Sequence, residues 1–322
     1  MIVYIPIRGP EISDLDDEYE RFLEEFNNFT ETNEIKKLLD QDPNHESIKQ
    51  IKFSIIYSSK DTNQENLEIK KIDEKYFIKQ YIEEFLKIEV AHEKNIYDKN
   101  SDYARISLGF IIRKLSFIVH LTYSTQVDFL AGAIFSSDNK YLGKTETFLS
   151  FLNNAYEHAL KIEWPKLESL KLQNTIAWFY TNNIHTDGNS KNKLHRAINA
   201  FSYQFSKLLE NNTSILFWTM LGIEALLAEG NNNIINQIKV KSSLILGQPT
   251  DYKKKLDKLY NYRSRFVHGD IDFPAKFSND YDNFEEEYFD YLHFATSILL
   301  ALIRYLIVNN KNEFQFEYKL VK

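Results

Sequence analysis

Leu256-Asp257-Lys258-Leu259-Tyr260-Asn261-Tyr262-Arg263-Ser264-Arg265-Phe266-Val267-His268-Gly269 places Leu256, Leu259, Tyr260, Phe266 and Val267 on one stripe at helical spacing. Gly269 stands where a left-handed residue ends such a helix. Arg263 falls inside the apolar stripe, at a core-facing or interface-facing position, so its charge needs a partner. His268 lies five residues on, turned about 140° from Arg263 and raised about 7.5 Å along the axis. The two are therefore not neighbours on one face. They converge if two copies of the helix meet antiparallel across a two-fold axis, each Arg approaching the other's His.

Working outward, the surrounding third of the chain is helical. Leu194, Ile198, Phe201, Phe205 and Leu208 follow at steps of four and three and predict one helical stripe. Thr213 or Ser214 caps a helix from Ile215 to Ala228 that is apolar nearly all round, the expected buried member of a bundle. Glu224 is its only charge and the intramolecular partner expected for Arg263. Ile234 to Leu246 predicts a third helix stopped by Gly247 and Pro249. Thr250 caps the fourth, and Asp282-Asn283-Phe284-Glu285 has the spacing of a capping box for a long last helix through Phe294, Ile298, Leu302 and Leu306. Five helices with short connections make an antiparallel bundle.

The first half mixes signals. Ile2 to Ile7 and Ile51 to Tyr57 read as strands, and Leu115 to Ser124 with Asp128 to Ser136 as a hairpin. Leu15 to Phe29, Gln80 to Asn95 and Thr145 to Leu160 have helical spacing. The turn-rich Asn182 to Ser190 is the linker candidate, although Thr175 to Tyr180 can form an extra first helix of the bundle. The expected fold class is α+β: a mixed α/β domain over residues 1–185 and an all-α bundle over 186–322.

Composition sets the outer limits. A chain of 322 residues that is 43% hydrophobic and 15% aromatic can bury a sizeable core. It has no cysteine, which excludes disulfides, thiolate zinc sites and cysteine nucleophiles. The opening residues Met1 to Arg8 are too short and alternating for a signal peptide, and the apolar run from Phe294 to Val308 carries Arg304 and is short for a membrane span. A cytoplasmic protein with no membrane partner is the expectation. A formal charge of −7 argues against general polyanion binding. The charges are unevenly placed, however: eleven acids between Glu11 and Asp40, and eight bases between Lys239 and Arg265. The acidic block reads as a solvated face, and the basic stretch can meet phosphate.

Arg263 and His268 suit phosphodiester chemistry. A guanidinium holds phosphate through two hydrogen bonds, and an imidazole exchanges protons near neutral pH. Cleavage of RNA through its own 2′-hydroxyl needs those two services, proton transfer and neutralisation of the developing charge, and no metal. Arg265, Lys253, Lys254, Lys255 and Lys258 are candidate RNA contacts, with a solvated helix face as the plain reading. The plain reading of Arg263 is an ion pair with Glu224 that anchors two helices, and of His268 a helix cap.

The segment from Leu259 to Gly269, downstream of Gly222-Ile223-Glu224-Ala225-Leu226-Leu227, resembles the Apea-like branch of the HEPN superfamily with its RxxxxH motif. The likeness covers roughly Lys191 to Asn310. It implies a helical bundle that dimerises, and an endoribonuclease of the kind found in prokaryotic toxins and antiphage, abortive-infection proteins. The motif's catalytic Arg and His match Arg263 and His268. The residue after the motif's Arg is often Asn or Asp, where this chain has Ser264. Glu224, Ser264 and Arg265 are supporting residues on that reading. RNA, a second copy of the chain and a regulatory or antitoxin protein are the implied partners, and no cofactor is. A noncatalytic HEPN module that binds RNA or a nucleotide, or serves as an assembly platform, is the alternative.

Other motifs carry less. Glu89 and His92 have the ExxH spacing of a metal-bundle half-site without a second copy. His185, Asp187 and His195 can group around a metal across the linker. Trp178, Phe179 and Tyr180 can stack on bases, although core packing is the default for them. GxGxxG, GxxxxGK[ST] and GxSxG are absent, which sets aside nucleotide hydrolysis and serine esterase chemistry through those devices.

Overall fold

The computed structural model describes residues 1–10, 16–29, 48–57, 84–92, 101–147, 149–150, 152–184, 188–206, 214–230, 232–247, 252–272 and 285–316. Among them it is a mixed α+β protein. The strands are β1 (Ile2–Arg8), β2 (Ile48–Tyr57), β3 (Glu84–His92), β4 (Asp128–Phe129), β5 (Ala133–Phe135), β6 (Tyr141–Lys144), β7 (Leu149–Ser150) and β8 (Phe205–Ser206). The helices are α1 (Asp16–Asn27), α2 (Ser101–Thr122), α3 (Leu152–Lys161), α4 (Leu172–Thr181), α5 (Lys193–Phe201), α6 (Ile215–Leu227), α7 (Ile234–Leu246), α8 (Tyr252–His268) and α9 (Glu285–Val308). Contacts divide the chain into two units. One holds Met1–Ser150, Lys171–Asn183 and Phe205–Leu208; the other holds Phe151–Leu170, Ile184–Gln204 and Leu209–Lys322.

The first unit is built on an antiparallel sheet in the order β2-β3-β1-β5-β6, with β4 also paired to β1. Val3, Ile5 and Ile7 of β1 are buried on one face, and Tyr4 joins Ile56, Phe85, Ala133 and Phe135 on the other. Helix α1 supplies Phe22 and Phe26, which meet Phe53 of β2 and Tyr123 edge to face. The expected strands at 2–7 and 51–57 and the helix at 15–29 are present, within a residue or a few at their ends.

Two expectations for this region fail. Gln80 to Asn95 contains a central strand rather than a helix. Leu86, Ile88 and Val90 alternate with Lys87 and Glu89, and the two-residue period wins because both flanks of β3 find strand partners. Leu115 to Thr122 is the last part of α2 rather than the arm of a hairpin, and Asp128–Phe129 and Ala133–Phe135 pair with β1 instead. The Glu89 and His92 spacing thereby loses its helical meaning. The expected helix at 145–160 is shorter, beginning at Leu152 after the strand Leu149–Ser150.

The second unit is helical. Its centre is α6, which packs against α5 and α9, and α9 also carries α3. Gly222 leaves room on α6 for Leu299 of α9, since a Cβ there would sit 2.8 Å from Leu299 Cδ2. The predicted stripe beginning at Leu194 holds as far as Phe201, with Leu194, Ile198 and Phe201 all buried; Phe205 leaves the helix, and Leu208 lies outside the described residues. The chain then passes through a 3-10 turn, Ser202–Gln204, into β8, which pairs with β7. The structure closes that turn with Gln204, whose amide Nε2 donates to Thr219 and Thr296 at 2.5 and 3.1 Å. Helix α4, the expected extra member of the bundle, packs on α2 in the first unit. Helix α3, expected in the first half, belongs to the bundle.

The last helix is longer than its apolar run suggested. Glu286–Val308 is long and apolar enough to cross a membrane by length and composition, and 83% of its most apolar window is buried within the protein. The length argument from sequence therefore fails, while Arg304, buried and donating to the Glu168 carbonyl at 3.1 Å, shows the helix serving as a core element. Thr250, Pro249 and residues 282–284, expected as caps and stops, lie outside the described residues, as do Thr213, His185 and Asp187.

Candidate functional site

Helix α8 carries the motif, and its C-terminal end is fixed by its own sequence. Gly269 takes φ +82°, its N–H donates to the Phe266 carbonyl at 3.4 Å, and the Asp270 N–H reaches back to the Arg265 carbonyl at 2.8 Å. This is the paired closure of a Schellman motif, as the glycine predicted. His268 is the last helical residue and is exposed. Among the described residues no atom lies within 4 Å of the place of an added Cβ at Gly269, so the cost expected for Gly269→Ala is backbone strain. A loss of about 1–2 kcal/mol in urea unfolding is expected, from forcing an L-residue into the left-handed region. A variant as stable as the parent would show that the turn is not needed.

Arg263 sits on the side of α8 that meets α6. Its Nη1 lies 3.9 Å from Glu224 Oε1, and its guanidinium lies 5.4 Å above the ring of Phe217. Tyr260 donates its hydroxyl to the same Glu224 oxygen at 3.3 Å. The expected pairing of Arg263 with Glu224 is present, but it is long, and it is partly buried: the two side chains are 31% and 15% exposed. Arg263 Nε is buried and has no hydrogen-bond partner among the described residues. The donors an anion can reach are therefore the Nη groups, on a side chain that is about a third exposed. Tyr262, about 100° round the helix from Arg263, packs against Tyr291 with ring centroids 5.0 Å apart. Burial, with Glu287 and Tyr291 nearby, pushes its phenol up to about 12, so it stays protonated at neutral pH and is no general base.

The other expected contacts form a second face. At about 100° per residue, Lys254, Lys258, Arg265 and His268 fall within about 80° of one another around α8. All four are exposed, as are Lys253 and Ser264. The bases thus make a solvent-facing stripe that ends at His268. Lys255 is the exception. Its ammonium contacts His158 Nε2 at 3.0 Å and Asp290 at 3.3 Å, and lies 4.8 Å over the ring of Phe294. It is committed to a contact between α8, α3 and α9. Arg263 and His268 lie on different sides of α8, as their spacing required, and one chain does not bring them onto a common face.

His158 and His293 were not foreseen. Burial first, then Lys255, keeps His158 below the usual histidine range. Burial, with His158 beside it, lowers His293 to about 4, against a weaker opposing effect of Asp290, and its ring stacks on Phe289 at 5.8 Å. Both rings are neutral in the folded protein at neutral pH. A folded pKa below the unfolded one means stability is full above the unfolded value and is lost as pH falls. His293 alone is expected to remove about 2–3 kcal/mol between pH 6.5 and 4. Denaturant unfolding across that window should show His293→Phe losing less than the parent, and equal losses would refute the assignment.

Among the described residues no group of three or more His, Asp or Glu side chains is arranged to hold a metal. Trp178 and Phe179 are core residues of the first unit, at 2% and 0% exposure, so the stacking role considered for them does not hold; Tyr180 is partly exposed. Compared with protein-family models, with curated proteins and with solved structures, the chain finds no match.

Proposed function

We propose that the helical unit is a metal-independent endoribonuclease of HEPN type, acting as a homodimer in which Arg263 of one copy meets His268 of the other. The reading that fits best beyond this is a cytoplasmic toxin or antiphage, abortive-infection effector, with the first unit sensing a trigger, restraining the nuclease or presenting substrate, and with a regulatory or antitoxin protein as a further partner. The observation that carries the proposal is the state of the two motif residues. His268 is presented to solvent at a fixed helix end, and Arg263 is held by one long ion pair with about a third of its side chain open to solvent, 31%.

Further features support it. Val267, one turn after Arg263, is 56% exposed, and Ser264 on the same side is exposed too. An apolar side chain beside a motif arginine suits a contact with a second copy of α8. The stripe of Lys254, Lys258 and Arg265 leads along the opposite side to His268, where strand phosphates can lie. The chemistry then follows from the residues: His268 takes the 2′-hydroxyl proton, and Arg263 neutralises the charge that develops on the phosphate.

Incubation of the full chain with labelled RNA in EDTA tests this. Products ending in a cyclic phosphate are expected. Binding without cleavage at any protein concentration would instead favour a noncatalytic HEPN module, for which the Tyr260–Glu224–Arg263 network is the supporting observation.

A further inference from the structure

The 3-10 turn Ser202–Gln204 and the first turn of α6 set two aromatic rings face to face. Tyr203 and Trp218 lie 4.2 Å apart at an interplanar angle of 8°. Tyr203 remains 44% exposed, so one side of its ring lies against the indole and much of the rest is open. Aromatic side chains in a core are usually covered and meet edge-on or offset. The contacts then run onward to the motif arginine: Trp218 meets Phe217 edge-on at 5.7 Å, and Phe217 lies under the Arg263 guanidinium at 5.4 Å.

One ligand chemistry matches that order of groups. A flat π surface open on one side accepts another flat π system, and every nucleobase has one. A guanidinium with spare donors accepts an anion. A nucleotide in a single strand carries both, joined by a sugar. A duplex does not, because its bases are already stacked on each other.

We propose that Tyr203 and Trp218 form a stacking shelf for an unpaired nucleobase of single-stranded RNA, with a neighbouring phosphate at Arg263. The shelf gives the site a preference for unpaired RNA and sets where along the strand the scissile linkage lies. This rests on the reading of the same unit as an RNA-cleaving domain. On this proposal the basic side chains of α8 meet phosphates, whereas the shelf meets a nucleobase.

The test uses the full chain carrying His268→Ala, to keep the probe intact, titrated in EDTA with a short single-stranded RNA containing 2-aminopurine at successive positions. Quenching at one position is expected, and none with the corresponding duplex. Adding Tyr203→Ala is expected to weaken binding about tenfold, and Tyr203→Phe, which keeps the ring, to restore it. Unchanged affinity in Tyr203→Ala overturns the shelf, and so does a loss that Tyr203→Phe fails to restore. Should the alanine variant not fold, Tyr203→Leu covers Trp218 without a π face, and parental affinity in that variant overturns the shelf as well. Position-dependent quenching without cleavage of unmodified RNA by the parent removes the nuclease and leaves the shelf. Cleavage with an unaltered KM in Tyr203→Ala removes the shelf and leaves the nuclease.

Discussion

His268→Ala is expected to lower RNA cleavage about 10²- to 10⁴-fold, the range typical of a general acid–base group, with no comparable change in thermal stability. The two outcomes separate because His268 is exposed and terminal. Its side chain is not part of the buried core that alanine would hollow out. Arg263→Ala should lower cleavage by a similar amount, about 10²- to 10³-fold, through loss of charge stabilisation. This variant also loses a contact with Phe217 and a long ion pair with Glu224. Those are worth only about 1 kcal/mol each at a partly exposed site, so the protein should remain folded and the kinetic result interpretable. A buried pair would have behaved differently, with losses of about 3–5 kcal/mol on removing one partner. Cleavage by His268→Ala at the parental rate would end the nuclease proposal.

Mixing the two dead proteins should bring activity back. If each site takes Arg263 from one copy and His268 from the other, a heterodimer of Arg263→Ala and His268→Ala has one site with both residues missing and one with both intact. Random exchange makes half of the dimers mixed, and each has one working site of two, so recovery approaches about a quarter of the parental rate. The structural basis is the angle between the residues: about 140° around α8, which keeps them apart within one chain. Unfolding and refolding the mixture together, then measuring cleavage against each variant alone, decides the matter. No recovery, with dimers shown to exchange, would place the site within a single chain or remove it.

The site was legible in sequence where a local rule was enough. The period of α8, its glycine end and the pairing of Arg263 with Glu224 all follow from spacing and from the cost of an unpaired charge. What depended on distant strands was not legible. The 84–92 stretch holds both a helical and an alternating arrangement of apolar residues, and only the presence of β1 and β2 on either side selects the strand. The stripe beginning at Leu194 was misread past Phe201, because Phe205 keeps the helical step yet is drawn into pairing with Leu149–Ser150. Tyr203 had a weak signal, an aromatic residue off the apolar stripe of its helix. Trp218 had none, since α6 is apolar on every side. His158 and His293 could not be found from spacing, because their neighbours come from three separate helices.

The interleaving of the chain between its two units has a practical meaning for anyone who wants the helical part alone. A cut at residue 185 leaves α3 behind with the first piece, although α3 lies on α9, with Tyr156 6.0 Å below the Arg304 guanidinium and His158 beside Phe294. The severed C-terminal fragment would show bare aromatic and aliphatic flank along its longest helix and would be prone to clump. A recombinant piece starting near residue 151 keeps that cover but bares the side of α4 where Ile176, Trp178 and Phe179 are buried in the first unit, so it too would show apolar flank.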